Sequence, residues 1–315
     1  MRILFFGDGA WATGSLKALI KEGHDLLGLV IRKVPTDPNL LELGQEKNIQ
    51  LFRPDKVNDP DFVAHMGGLE PEINLSVSFD QIFKSDLIQT PSLGFVNFHA
   101  GQLPFYRGRN VINWAIINGE TTIGLTAHFV DSGIDTGDIV LQRLLPLDWT
   151  DTYGDALQKV VRAFPALVTD TVRAFTEGQV PRKVQASELG TYFPLRRDGD
   201  EWLDWSDTSR NLYNKIRGIS RPGPGSQTLL GPQLVKIWRA SYDPSWPSYL
   251  ATPGHVVNRC SEKGVTVKTG DSTIVLHEVQ IGGDLPCVPT WPLGTRLGLD
   301  VVSHLHQMQY RLEGS

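Results

Sequence analysis

MRILFFGDGAWATGSLKALIKEGHDLLGLVI, residues 1–31, carries the pattern that decides the fold. Residues 3–6 form a short apolar run of β type, residues 16–21 follow at helical period, and residues 26–31 make a second β run. The alternation goes on with a helix-period segment at 40–47 and an apolar run at 73–77. Strand, helix and strand in succession predict a parallel sheet with helices on its faces, an α/β domain. Residues 95–98 and 124–130 read as further strands, with a helical stretch at 110–117 between them. In such sheets ligands sit at the carboxyl ends of strands, so the polar residues just beyond a strand are the candidates for function.

Working outward, a chain of 315 residues is about twice a typical domain, which predicts two domains. A long helical segment covers 152–177, where Pro165 is a point of kinking or division. Beyond it the style changes: β-type runs at 234–239, 255–259, 264–268 and 272–280, punctuated by Gly and Asp, suggest a small β-barrel-like second domain. The formal charge is −5, with no general footprint for gripping a polyanion, so nucleic acid is disfavoured as a partner. Cys260 and Cys287 are too few for a disulfide scaffold or a cysteine-built zinc site. No secretory signal and no apolar stretch near the ~20 residues of a membrane helix are visible. The expectation is a cytoplasmic protein without a membrane partner.

Two places could carry chemistry. Gly7, Asp8, Gly9 and Gly14 resemble a dinucleotide turn, but the spacing departs from G-x-G-x-x-G and Ile31 is followed by Arg32 and Lys33 rather than an acid. A plain tight turn from strand to helix is the better reading. The second place is more specific. Asn97 and His99 alternate at a strand end and share one face, and a loop bearing Gly101, Gln102, Leu103 and Pro104 leaves the sheet after them. Such a loop is expected to keep backbone donors and acceptors free for a ligand. Taken alone, His99 reads as a hydrogen-bonded core histidine. The following strand, however, runs into Asp131, Ser132, Gly133, Ile134, Asp135, Thr136, Gly137 and Asp138, a loop whose carboxylates can reach back to neighbouring strand ends. A carboxylate beside an imidazole orients it and favours its protonated form, a common way to tune a general base or acid. Turn capping is the plainer role for these acids, and it suits Asp131.

Asn97, His99 and Asp135, the Leu103-Pro104 loop and the Asp-Thr-Gly-Asp turn at 135–138 resemble the formyltransferases that use 10-formyltetrahydrofolate, with the spacing from Asn97 to Asp135 matching without a gap. Trp202-Leu203-Asp204-Trp205-Ser206, residues 215–218 and residues 235–241 are similar to the linker and C-terminal domain of the two-domain members. The resemblance implies a Rossmann-like, mostly parallel catalytic domain at 1–190, a linker at 191–205 and an OB-like β-barrel domain at 206–315. It implies His99 as general base and acid, Asn97 as the donor to the formyl oxygen, and Asp135 as the group that raises the histidine's pKa. It further implies that backbone at Gln81, Ile82 and Phe83 wraps the pterin, with more folate contacts from Gly101, Gln102, Leu103, Pro104, Arg109, Asp131, Ser132, Gly133, Ile134 and Asp138. The co-substrate is 10-formyltetrahydrofolate, released as tetrahydrofolate, and the chemistry requires no metal. An amide N–H and an imidazolium stabilise the oxyanion of the attacked formyl group, by about 3 kcal/mol for a good donor.

Two groups in this family share the layout, one acting on initiator methionyl-tRNA and one on nucleotide-linked amino sugars. The tRNA group carries a basic insertion after the second strand, whereas here Ile31 passes through Arg32, Lys33, Val34 and Pro35 almost directly into a helix. That gap, the acidic balance and the likeness of residues 106–120 and 191–197 to the sugar enzymes point to a nucleotide-linked amino sugar as acceptor. Tyr192, Arg196 and Arg197 are then candidates for stacking a base and gripping a diphosphate, although Tyr192 and Phe193 could equally pack the linker. Methionyl-tRNA formyltransferase is the alternative activity, and a non-catalytic folate- or nucleotide-binding module is the reading from another class. If the chain oligomerises, a homodimer is the expected form.

Overall fold

A computed structural model describes residues 1–34, 37–260 and 262–298. Residues 299–315, the end of the expected C-terminal domain, and Pro35 of the run into the second helix lie outside the described residues. The chain divides into two compact units. One comprises 1–112, 122–147 and 156–195; the other comprises 113–121, 148–155 and the chain from Arg196 onward. The first unit runs β1 (Arg2–Gly7), α1 (Gly9–Lys21), β2 (Asp25–Ile31), α2 (Pro38–Glu46), β3 (Leu51–Phe52), α3 (Pro60–Gly68), β4 (Ile73–Val77), α4 (Ser85–Ile88), β5 (Gly94–His99) and β6 (Arg107–Gly108). Helix α5 (Val111–Ile117), counted from residue 113 in the second unit, follows, then β7 (Thr122–Phe129), β8 (Ile139–Pro146), α6 (Tyr153–Thr176), counted in the first unit from residue 156, and β9 (Tyr192–Phe193).

Ile3, Leu4, Phe5 and Phe6 are all fully buried, so β1 is covered on both faces and must sit inside the sheet. The strand order is β3-β2-β1-β4-β5-β7-β8. β1 pairs in parallel with β2 on one side and β4 on the other, and β4 pairs in parallel with β5. β7 runs antiparallel to β5, and β8 antiparallel to β7. The sheet is thus mostly parallel, with a reversed edge that brings the end of β7 back beside β5. Aspartates start three helices: Asp8, Asp37 and Asp59 each accept a hydrogen bond from the first turn, and proline follows the last two. Asp8 lies in the glycine-flanked turn between β1 and α1 and accepts from Gly9 N. Phe6, Phe83 and Phe95 pack into one core cluster beneath the sheet. Helix α6 continues through Pro165 without division, over nearly the whole segment expected.

The second unit holds α7 (Ser209–Gly218) and the strands β10 (Ser226–Leu230), β11 (Gln233–Ser241), β12 (Val256–Cys260), β13 (Gly264–Lys268) and β14 (Thr273–Ile281). They form an antiparallel sheet in the order β10-β11-β14-β13-β12. The segment at 296–297 bridges Leu230 at one edge and His255 at the other, which joins the two edges of the sheet. Leu212 and Ile216 of α7 share its core with Val235, Ile237, Val265, Val267, Ile274 and Leu276.

Leu75 lies at the centre of β4 with no exposed surface. Leu75→Ala is expected to lower stability by about 2–5 kcal/mol, read from urea denaturation; a loss below about 1 kcal/mol would mean that the core does not close there.

Candidate active site

The site begins where β5 ends. Asn97 and His99 leave the same face of the strand, while Phe98 turns to the other side and is buried. In the antiparallel pairing with β7, His128 stands opposite Asn97 and Thr126 opposite His99. Directly opposed residues share a face of the sheet. The register therefore delivers a second histidine, His128, that the sequence reading did not single out.

Asp135 arrives from the loop after β7 with a φ of 55°, a left-handed conformation uncommon outside glycine. Its Oδ2 lies 3.6 Å from His99 Nδ1 and accepts the Gly108 N–H at 2.9 Å. Its Oδ1 lies 3.4 Å from His128 Nε2 and 3.5 Å from Asn97 Nδ2. The structure thus brings Asn97, His99 and Asp135 together, with His128 as a fourth member. Burial pushes the Asp135 carboxyl upward, but the His99 charge, the His128 hydrogen bond and charge, and the Gly108 N–H together outweigh it. The result is a carboxyl held well below the usual carboxylate range.

The other face of His99 is equally engaged. Its Nε2 donates to the carbonyl oxygen of Tyr106 at 2.6 Å, so both ring nitrogens face acceptors. His128 Nδ1 donates to Phe129 O at 2.8 Å, and its Nε2 lies 3.1 Å from Asn97 Nδ2 and 3.4 Å from Asp135 Oδ1. The Asn97 amide nitrogen thus faces both His128 and Asp135.

The loop after β5 differs from its expected open backbone. Gly101 O accepts from Thr126 Oγ1 at 2.7 Å, Leu103 O from Gln142 Nε2 at 3.0 Å, and Pro104 O from Thr191 N at 3.3 Å. The reason is burial: carbonyls taken from water need partners, and β7, β8 and residue 191 supply them. Leu103 itself is a core side chain, 2% exposed. Gly101 is a close-approach position, since a Cβ there would lie 2.5 Å from His99 Nε2 and 2.4 Å from Tyr106 O. This accounts for a glycine directly beside the histidine.

Of the other expected folate contacts, Gln81, Ile82 and Arg109 line one pocket of about 650 Å³ with Lys56, Asn58 and Lys84. Gln81 Oε1 accepts the Val57 N–H, Ile82 O accepts from Asn58, and Arg109 Nη2 donates to Asp80 O. Phe83 is buried in the aromatic core, so only its backbone is available to a ligand. Asp131 caps its own turn, accepting from Gly133 N and Thr136 Oγ1. Ser132, Gly133 and Ile134 are exposed, Asp138 is half-buried, and Gln102 and Pro104 are partly covered. Tyr192 is exposed in the first unit, with the Arg107 guanidinium over its ring. Arg196 is engaged within the second unit by Glu201 at 2.7 Å, both side chains largely buried, which removes it as a free grip on a diphosphate. Arg197 is exposed, with its N–H on Asp200.

Comparison with known proteins adds three observations. Residues 1–172 match the family described as formyl transferase, and residues 197–289 match the formyl transferase C-terminal domain. A methionyl-tRNA formyltransferase from Pelotomaculum thermopropionicum is 34% identical over 291 residues, 90% of this chain and 92% of that protein. One from Symbiobacterium thermophilum is 33% identical over 293 residues, 90% of this chain and 89% of that protein. Among solved structures, WlaRD, a sugar 3N-formyl transferase determined with dTDP and 5-N-formyl-THF, superposes with a TM-score of 0.68 at 21% identity, covering 90% of this chain and 99% of that one. At that identity the likeness shows the fold alone. These findings overturn the expected amino-sugar acceptor, because the relatives sharing about a third of their residues along nearly the whole chain are tRNA enzymes. The expectation leaned on net charge, on a missing insertion and on the likeness of residues 106–120 and 191–197 to the sugar enzymes. Net charge averages over the whole surface, whereas nucleic-acid contact needs only a local face.

Gly101→Ala is expected to displace the His99 ring or the Tyr106 carbonyl and to lower kcat about 10- to 100-fold; wild-type kcat would refute the close approach. A depressed carboxyl stabilises the fold above its unfolded pKa and loses that contribution as pH falls toward the folded value. Wild-type stability relative to Asp135→Asn is therefore expected to fall, by up to about 1.4 kcal/mol per pH unit, as pH drops below the ordinary value of 3.8. Urea titrations of both proteins check this, and a difference that stays flat on acidification would contradict it.

Proposed function

We propose, from the premise that this chain belongs to the formyl transferase family, that it transfers the formyl group of 10-formyltetrahydrofolate to the α-amine of methionine carried on initiator tRNA. The premise makes it a 10-formyltetrahydrofolate-dependent N-formyltransferase. The acceptor rests on one observation: 34% identity to a methionyl-tRNA formyltransferase over 90% of this chain. Charged initiator tRNA is a cytoplasmic substrate, which sets the location of the reaction. Among the described residues no helix is long and apolar enough to cross a membrane.

The site residues divide the work as follows. The acceptor amine attacks the formyl carbon, the carbon–N10 bond of the donor breaks, the attacking nitrogen gives up a proton and N10 gains one. His99 carries that proton, taking it from the amine and returning it to N10 through Nε2 once that nitrogen leaves the Tyr106 carbonyl. Asn97 turns its longer N–H contact, 3.5 Å to Asp135, onto the formyl oxygen as negative charge develops there. Asp135, ionised and buried, holds the His99 ring in place and stabilises it while it bears the proton. His128 keeps the Asn97 amide and the Asp135 carboxylate aligned. Gln81, Ile82, the backbone of Phe83 and Arg109 hold the donor along the pocket they line. On this reading the first unit carries the chemistry.

The test is a direct comparison of acceptors: the enzyme, 10-formyltetrahydrofolate, and either charged initiator tRNA or a panel of nucleotide-linked amino sugars. Formylmethionyl-tRNA with no sugar product is expected, and sugar turnover without tRNA formylation would reverse the reading. His99→Ala is expected to lower kcat on the tRNA about 10²- to 10⁴-fold; full turnover by that variant would remove His99 from the chemistry.

A further inference from the structure

Arg107 is the bulkiest fully buried side chain among the described residues, 1% exposed, and no carboxylate among those residues lies within ion-pair distance of it. Burying a cation without a counter-charge is costly, and a methionine or leucine would fill the same space without that cost. What the guanidinium does there is specific. Its Nε and Nη2 both donate to Gln185 Oε1, at 3.3 and 2.8 Å, and Nη1 approaches the Tyr192 hydroxyl at 3.4 Å. The other end of the Gln185 amide donates to Asp135 O at 2.9 Å and to Gly137 O at 2.7 Å. Gln185 is itself 7% exposed, so its amide is saturated at both ends inside the protein. A Cβ at residue 190 would sit 2.3 Å from Nη1, so glycine there admits the guanidinium.

An amide can present either end. The fork of Arg107, which has donors and no acceptor, fixes the end that bears the oxygen, and the two carbonyls at 135 and 137 agree with it at the NH₂ end. Were the amide reversed, its oxygen would face two carbonyls and its NH₂ a cation. We propose that Arg107 and Gln185 are positioning residues for formyl transfer: Arg107 fixes the orientation of the Gln185 amide, whose NH₂ clamps the turn at 135–137 and so sets the Asp135 carboxylate against His99 and His128. The same strand places the Gly108 N–H on Asp135 Oδ2, so both the backbone and the side chain of Asp135 are held from β6. The proposal rests on the formyl-transfer chemistry and is indifferent to which amine is formylated.

Gln185→Glu separates positioning from mere filling. It keeps an oxygen for Arg107, now as an ion pair, but exchanges the clamping NH₂ for an oxygen facing two carbonyls. The expected result on folded protein is a kcat for formylation of charged initiator tRNA lowered about 10- to 100-fold, with KM for 10-formyltetrahydrofolate within about twofold of wild type. Arg107→Lys, which keeps the charge and loses the fork, is expected to show the same split, and it decides the matter if Gln185→Glu does not fold. Wild-type kcat in a folded variant, or a fall in kcat matched by an equal rise in KM, overturns the proposal. A crystal structure of the variant gives a readout independent of the acceptor: Asp135 Oδ2 is expected beyond its present 3.6 Å from His99 Nδ1, and an unmoved carboxylate refutes the clamp. If wild-type enzyme fails to formylate the tRNA, the acceptor reading falls while this structural comparison still stands.

Discussion

An ionised carboxylate that is largely withdrawn from water needs partners on every side, and Asp135 finds them in two imidazoles, one backbone N–H and an amide. Desolvation alone would neutralise it; the surrounding donors keep it charged. The donors come from three parts of the first unit. His99 and Asn97 come from the end of β5, His128 from β7, and Gly108 from the loop that β9 pins down. The position of one charge therefore depends on the order of the strands, on the reversal of β7, and on the strap formed by residues 191–193.

That dependence explains the density of hydrogen bonds below the loop after β5. Thr126 and Gln142 sit on antiparallel strands and hold the carbonyls of Gly101 and Leu103 from beneath. Tyr106 stacks on Phe193 with ring centroids 4.9 Å apart, while residues 107 and 108 pair with 192 and 193. A loop that would otherwise sample many conformations is tied at both ends and in the middle. This places its backbone close to the His99 ring and limits the positions the ring can take.

Legibility in the sequence varied with the kind of signal. β1, β2, β4, β5 and β7 were visible because both faces are buried and their apolar runs are nearly continuous. β8 was not, since beyond Val140 it mixes polar and apolar residues on a half-exposed edge. The two-residue strands β3, β6 and β9 have no pattern to read. Helix α3 has a start signal in Asp59-Pro60 but only a short, weakly periodic apolar pattern after it. His128 could have been noticed as a lone histidine in an apolar strand just ahead of the acidic loop. Arg107 and Gln185 carried no such mark, being 78 residues apart.

By itself, the sequence determined the class of fold, the two-part layout and which polar residues stand at the strand ends, because apolar periodicity and the residues at strand ends are local properties. Tertiary structure alone decided that Asp135 meets two histidines rather than one, that the loop carbonyls are occupied, and that a buried arginine faces an amide instead of an acid. Those outcomes follow from strand register and loop closure, which join residues far apart in the chain and leave no local trace. The acceptor belongs to neither level: the reacting groups are shared across the family, and whole-chain charge says little about the surface that meets a partner.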